Sequence, residues 1–182
     1  KRNFTIDKDD GMEVADQFGI KTRVLDLTAQ KELAMETLGT VTTLTDAAVS
    51  NLAPRLRMLT LYAVAASENR LVAGTGNASE YYMGYFTKWG DGAYDLNPIA
   101  DLTATEIFEF LRYLKAPQSI ITKAPSAGLY EGQTDEEDMG VTYAAIDQYI
   151  KTGQANDHDK AIIDRYHARS EHKRRNPLRY PD

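Results

Sequence analysis

Residues 71–80 read LVAGTGNASE, and the fold is decided here. Leu71, Val72 and Ala73 form a short apolar run that stops at Gly74, Thr75, Gly76 and Asn77, the pattern of a strand ending in a tight turn before a helix. That pattern places Thr75 and Asn77 at a strand's carboxyl end. In open α/β sheets ligands bind in the crevice outside the carboxyl ends of strands, so the turn is a candidate site on its own composition. Its glycines let backbone approach a ligand, its amides could cradle phosphate, and Glu80 on the following helix is within reach of a metal. A plain strand-to-helix turn with a surface glutamate has the same composition.

Working outward, residues 10–18 predict a short helix, and residues 22–27 (TRVLDL) alternate and carry β-branched side chains as a strand does. A long helix is expected from about residue 47 to 66, where Leu52, Leu56, Leu59 and Ala63 recur at helical spacing and Met58, Tyr62 and Ala65 widen the apolar stripe. So wide a stripe implies burial on two sides, one against the chain's own sheet and the other against a second subunit, hence a homodimer. Pro54 must then sit near the first turn or cause a kink. Downstream, Thr103 and Glu106 form a capping box before Ile107, Phe108, Phe110, Leu111 and Leu114, and Pro117 closes that helix. Residues 125–140 carry Gly128, Gly132, Gly140 and five acids without sustained periodicity, which marks a functional or disordered loop. Thr142 can cap a helix bearing Tyr143, Ile146 and Ile150, and a last helix near residues 160–171 turns Ile162, Ile163 and Tyr166 inward. Alternating strands and helices predict an α/β fold with a parallel sheet flanked by helices.

The chain has 182 residues, a length that fits one domain, 1–182. No apolar run approaches the roughly 18 residues that span a bilayer, and the polar residues 1–10 lack the apolar stretch of a secretory signal. No membrane segment and a cytoplasmic address are the expectations. The absence of cysteine excludes disulfides, thiolate metal sites and a cysteine nucleophile within the chain, so its chemistry must use oxygen and nitrogen groups. A net charge of −6 argues against a general nucleic-acid binder, although acids crowd residues 131–138 and bases crowd residues 167–179.

Two further segments have compositions that suit a ligand. Residues 85–95 (YFTKWGDGAYD) gather aromatics that can stack on flat rings, Lys88 for anionic oxygens and Asp95 as an acceptor, or else form a hairpin with aromatic packing. Residues 123–129 (KAPSAGL), followed by Gly132 to Glu136, could close over a nucleotide as a lid, or form a surface excursion.

In this order, NLAPRLRM, GTGNASE, GYFTKWGDGAYD, NPIADLT, KAPSAGL, GQTDEEDMGVTY and EHKRRNP resemble the ammonia-dependent NAD synthetases, N-type ATP pyrophosphatases, over about residues 51–176. The resemblance implies a Rossmann-like sheet and a two-step ligation. The carboxylate of nicotinate adenine dinucleotide (deamido-NAD) attacks the α-phosphate of ATP, pyrophosphate leaves, and ammonia displaces AMP to give NAD. By the same resemblance Arg55, Lys88, Asp95, His172 and Lys173 hold the dinucleotide, Thr75 and Ser126 hold ATP, and Glu80 is a ligand of Mg²⁺. Two features depart from the family. Its SGGxDS-type phosphate loop and the strand before it occur nowhere in residues 1–182, so they are expected upstream of Lys1, with this chain as the later two-thirds of the domain. The helix after NPIADLT often opens with a lysine that touches ATP, where this chain has Ala104, so one cationic contact is missing, and substitution by Lys123 is left open. A non-catalytic nucleotide-binding or dimerisation module is the alternative, and an ATP pyrophosphatase with another acceptor is opposed by the dinucleotide-type segments.

Overall fold

The computed structural model describes residues 2–126 and 134–180. Helices follow one another along them: α1 (Arg2–Phe18), α2 (Thr28–Gly39), α3 (Asp46–Ser67), α4 (Ala78–Met83), α5 (Ala104–Tyr113), α6 (Gln118–Ile121), α7 (Asp135–Met139), α8 (Tyr143–Thr152), α9 (Asp157–Arg169) and α10 (Glu171–Arg174). No described helix is long and apolar enough to cross a membrane.

The expected α/β fold, a Rossmann-like parallel sheet, is corrected by this architecture. Among the described residues the only trace of a sheet is one isolated parallel bridge, Ala73 to Leu96. The reason lies in pairing. A strand's backbone groups must be satisfied by a neighbouring strand, which local alternation cannot supply. Residues 71–73 find only the segment around Leu96: Asp95 N–H donates to Val72 O at 2.9 Å and Gly74 N–H to Leu96 O at 2.7 Å. At residues 22–27 no strand forms, and Val24 and Leu25 are each 61% exposed.

The chain divides into two compact units. The first comprises Lys1–Val24 and Leu102–Ala168, and its core is helical. Ile146 of α8, Ile163 of α9 and Met139 of α7 are buried, as are Ala104, Ala116 and Tyr143. α5 packs on α8, and the contact is written in polar groups at the start of α5. Glu106 accepts the Thr103 N–H at 2.8 Å, completing the capping box, while the buried Asp147 of α8 accepts the Thr105 N–H at 2.8 Å. These acceptors satisfy amides that a helix start otherwise leaves orphaned. The acid-rich loop is partly helical, because Thr134 caps α7 and the buried Asp135 accepts from the Tyr143 hydroxyl at 3.0 Å. Residues 127–133 of the expected lid lie outside the described residues.

The second unit comprises Leu25–Asp101 and Arg169–Asp182. α3 runs for 22 residues with Pro54 inside it, and only Pro54 and Ala65 of that helix are buried. Leu59 of the predicted stripe is 62% exposed. α2 packs against α3 although the sequence reading passed over it. Around α4 the core holds Met83 and Ser79, both fully buried. Gly84 ends α4 at φ +67, and a Cβ there would lie 2.0 Å from Cβ of Ser170, so only glycine lets the α10 segment close against it.

Candidate functional site

A cavity of about 310 Å³ opens in the second unit beside the Gly74 to Asn77 turn. Thr75, Gly76 and Glu80 form one wall, Tyr81, Phe86 and Tyr94 supply aromatic surface, and Asp91, Asp101 and Lys173 bring charge. The turn is rigid for identifiable reasons. A Cβ on Gly74 would stand 2.5 Å from the Tyr94 ring, so the backbone approaches that ring as only glycine can. Asn77 caps α4 by accepting the Glu80 N–H at 2.9 Å, and Glu80 Oε2 accepts the Asn77 N–H at 2.8 Å, a reciprocal capping box. Asn97 ties the turn from outside, donating to Gly76 O at 2.8 Å and accepting the Ile99 N–H at 3.2 Å.

The far wall is held by α10. Lys173 Nζ donates to Gly84 O at 2.7 Å and Phe86 O at 2.6 Å and stands 5.2 Å from the Phe86 ring centroid. Arg174 donates to Tyr82 O at 3.2 Å and to Ser170 Oγ at 2.6 Å, and Ser170 donates to Met83 O at 3.2 Å. Carbonyls at the end of α4 are thereby satisfied by cations and a hydroxyl, the arrangement a helix C-terminus favours. Burial pulls the Lys173 ammonium below the ordinary lysine range; Asp91 opposes this, and the positive charges of Arg174 and Arg55 add to it.

Beyond the cavity lining, three residues are linked in series: Arg55 donates to Lys88 O at 3.4 Å, and Lys88 Nζ donates to His172 O at 2.6 Å. Asp95 is engaged with the protein itself. One carboxylate oxygen accepts the Val72 N–H at 2.7 Å and the other accepts from the Tyr62 hydroxyl at 3.3 Å. Burial, reinforced by the Asp95 charge, raises the Tyr62 pKa.

Of the eight residues singled out from the sequence, then, Thr75, Glu80 and Lys173 line one cavity; Arg55, Lys88 and His172 form a connected set on the same unit; Asp95 braces the turn; and Ser126 is exposed on the first unit. Ala104 is buried at 4% exposure, and Lys123 is taken up by Asp7 and by Asp10 at 2.6 Å, contacts that raise its pKa, with the Asp10 hydrogen bond the largest cause. The sequence reading passed over Tyr81, Asn97 and Asp101. Asn97 precedes Pro98, a turn signal that could have marked it. Tyr81 and Asp101 carry no such local signal.

Among the described residues no group of three or more His, Cys, Asp or Glu could hold a metal. Glu80 fits a different kind of site. With Oε2 holding the Asn77 N–H, the same carboxylate on the cavity wall suits a Mg²⁺ ion that takes one protein carboxylate and completes its shell with phosphate oxygens and water.

The family model described as NAD synthase matches residues 2–177. The chain is 48% identical over 173 residues to the NH(3)-dependent NAD(+) synthetase of Carboxydothermus hydrogenoformans, covering 94% of this chain and 71% of that protein. It is 43% identical over 175 residues to the protein of the same name from Archaeoglobus fulgidus, covering 94% and 70%. Among solved structures, the NMN synthetase of Francisella tularensis superposes with a TM-score of 0.92 at 41% identity, covering 96% of this chain and 72% of that one.

Proposed function

The chain belongs to the NAD synthase family, and from that premise we propose that it is a ligase that amidates deamido-NAD with ammonia at the expense of ATP. The observation that carries the reading is the meeting of Thr75, Glu80 and Lys173 around one cavity with aromatic walls. Such a cavity offers hydroxyl and backbone donors for phosphate, a carboxylate for a cation and a buried cation for developing negative charge. The substrate carboxylate oxygen bonds to the α-phosphorus of ATP as the bond to pyrophosphate breaks. Ammonia then bonds to the acyl carbon, AMP departs with the electron pair of the acyl–oxygen bond, and the ammonium proton passes to solvent. No protein nucleophile is required, in keeping with a chain that has no cysteine. What the protein supplies is position and charge.

In this reading Thr75 and Ser126 bind ATP, and Arg55, Lys88, Asp95, His172 and Lys173 bind the dinucleotide, with residues 1–182 acting as one functional domain. Glu80 holds Mg²⁺, which neutralises charge on the phosphates. A homodimer belongs to the proposal, supported by the exposed leucines of α3.

A second reading keeps the chemistry and shortens the acceptor to nicotinate mononucleotide. The TM-score of 0.92 to the Francisella NMN synthetase favours it. Incubation with ATP, Mg²⁺, ammonia and either acceptor separates the two. Release of AMP with formation of NAD from the dinucleotide is expected. Amide from the mononucleotide alone would establish the second reading, and no AMP with either acceptor would leave a non-catalytic nucleotide-binding module.

A further inference from the structure

Trp89 is the single tryptophan of the chain, and its backbone is held at φ 61, in the left-handed region that bulky side chains avoid. The turn around it is fixed from several directions. Gly90 is buried, and a Cβ there would lie 2.9 Å from Pro54 Cβ and 2.9 Å from Thr87 Cγ2. The Thr87 N–H donates to the Asp91 carboxylate at 3.1 Å, and the Thr87 hydroxyl donates to Asn51 Oδ1 at 2.6 Å. A strained residue persists where its surroundings over-determine it, and such strain clusters at ligand sites.

What the strained turn achieves is exposure. Trp89 is 54% exposed, with the Lys88 ammonium 5.5 Å from its ring centroid and the Arg55 guanidinium 3.4 Å from the Lys88 carbonyl oxygen. A large open ring with an ammonium against it, and a guanidinium held at the preceding residue's carbonyl, is the chemistry that stacks a base next to a phosphate. None of these three residues lines the cavity of Thr75 and Glu80. When the acceptor's carboxylate meets ATP in that cavity, its non-reacting end falls to the groups outside. We propose that Trp89 stacks the adenine of the dinucleotide acceptor and is the residue that distinguishes the dinucleotide from the mononucleotide, which has no adenine. The inference rests on the amidation reading.

Because Trp89 is the only tryptophan, its fluorescence reports binding without turnover. Titration with deamido-NAD in the absence of ATP should quench or shift the emission, while nicotinate mononucleotide should leave it unchanged. Trp89→Gly suits the left-handed backbone and removes the ring without loss of the turn. By calorimetry it should weaken deamido-NAD binding about tenfold or more, the effect of one stacked base, and leave the mononucleotide affinity unchanged. Trp89→Phe should restore most of the loss. Equal weakening of both acceptors, no weakening of either, or dinucleotide binding with unchanged emission would overturn the assignment. Selective weakening in a protein that amidates neither acceptor would keep the stacking and remove the ligase reading.

Discussion

At the scale of single residues, Glu80 and Asp95 are both carboxylates near one turn, yet the structure loads them differently. Glu80 gives one oxygen to the Asn77 N–H, a contact that glutamine reproduces at the same position of a capping box. Glu80→Gln should therefore keep stability within about 0.5 kcal/mol, the usual range for a change that leaves the contacts intact. The same change removes the charge proposed to hold Mg²⁺, so ATP–pyrophosphate exchange should fall at least about tenfold while dinucleotide binding stays close to that of the parent protein. Asp95 commits both oxygens to the protein, to Val72 and to Tyr62. Asp95→Ala should thus lower stability by about 1–3 kcal/mol, since it strips an acceptor from a part-buried N–H, and should weaken dinucleotide binding more than adenylation. Thermal unfolding and separate exchange and binding measurements check both variants. If each altered only the apparent affinity for ammonia, neither role would stand.

At the scale of elements, α5 and α8 were legible because their ends carry local chemistry, whereas α2 and α7 were passed over although Thr134 caps α7. Thr103 with Glu106 marked the start of α5, and Thr142 caps α8 by accepting the Ala145 N–H at 3.2 Å. The strands were misread because pairing is not a local property: TRVLDL carries β-branched residues and part of a strand's alternation, but neither says anything about a neighbour. The α5–α8 junction also makes a pH prediction. Glu106, held by the Lys151 ammonium at 2.8 Å and by the Thr103 N–H and hydroxyl, has its pKa lowered from 4.5 to about 2, with the Lys151 hydrogen bond the largest cause. The folded state thus favours the carboxylate, and its contribution is present above pH 4.5 and lost as the pH falls from there towards 2. The Glu106 side chain is 35% exposed, so solvent screens the effect and it should be modest. Melting temperatures between pH 6 and pH 2.5 should fall less steeply for Glu106→Gln than for the parent protein. Parallel slopes would show that the junction does not bind its proton differently on unfolding.

At the scale of the whole molecule, the glycine turn, the capping box and the cationic helix end that carry Thr75, Glu80 and Lys173 are each readable in a short window, whereas the meeting of their segments at one cavity is not. Placing Asp101 or Tyr81 there requires knowing which segments fold together, and no window holds that. The predicted stripe on α3 has its own consequence. Leu59 of that stripe was expected to be buried but is 62% exposed in the single chain, and Leu61, two positions on and so on the other side of the helix, is 56% exposed. A second subunit packed across α3 would cover such side chains. The proposed occupant is a second copy, whose matching face closes the contact by two-fold symmetry. Sedimentation equilibrium at micromolar concentration should give twice the mass of the chain. The double variant Leu59→Glu, Leu61→Glu should give the single mass with unchanged helical circular dichroism, because exposed positions of a lone chain tolerate charge within about 0.5 kcal/mol. A parent protein that remains at the single mass across the concentration range would remove the dimer. A double variant that stays dimeric would move the interface away from these leucines of α3.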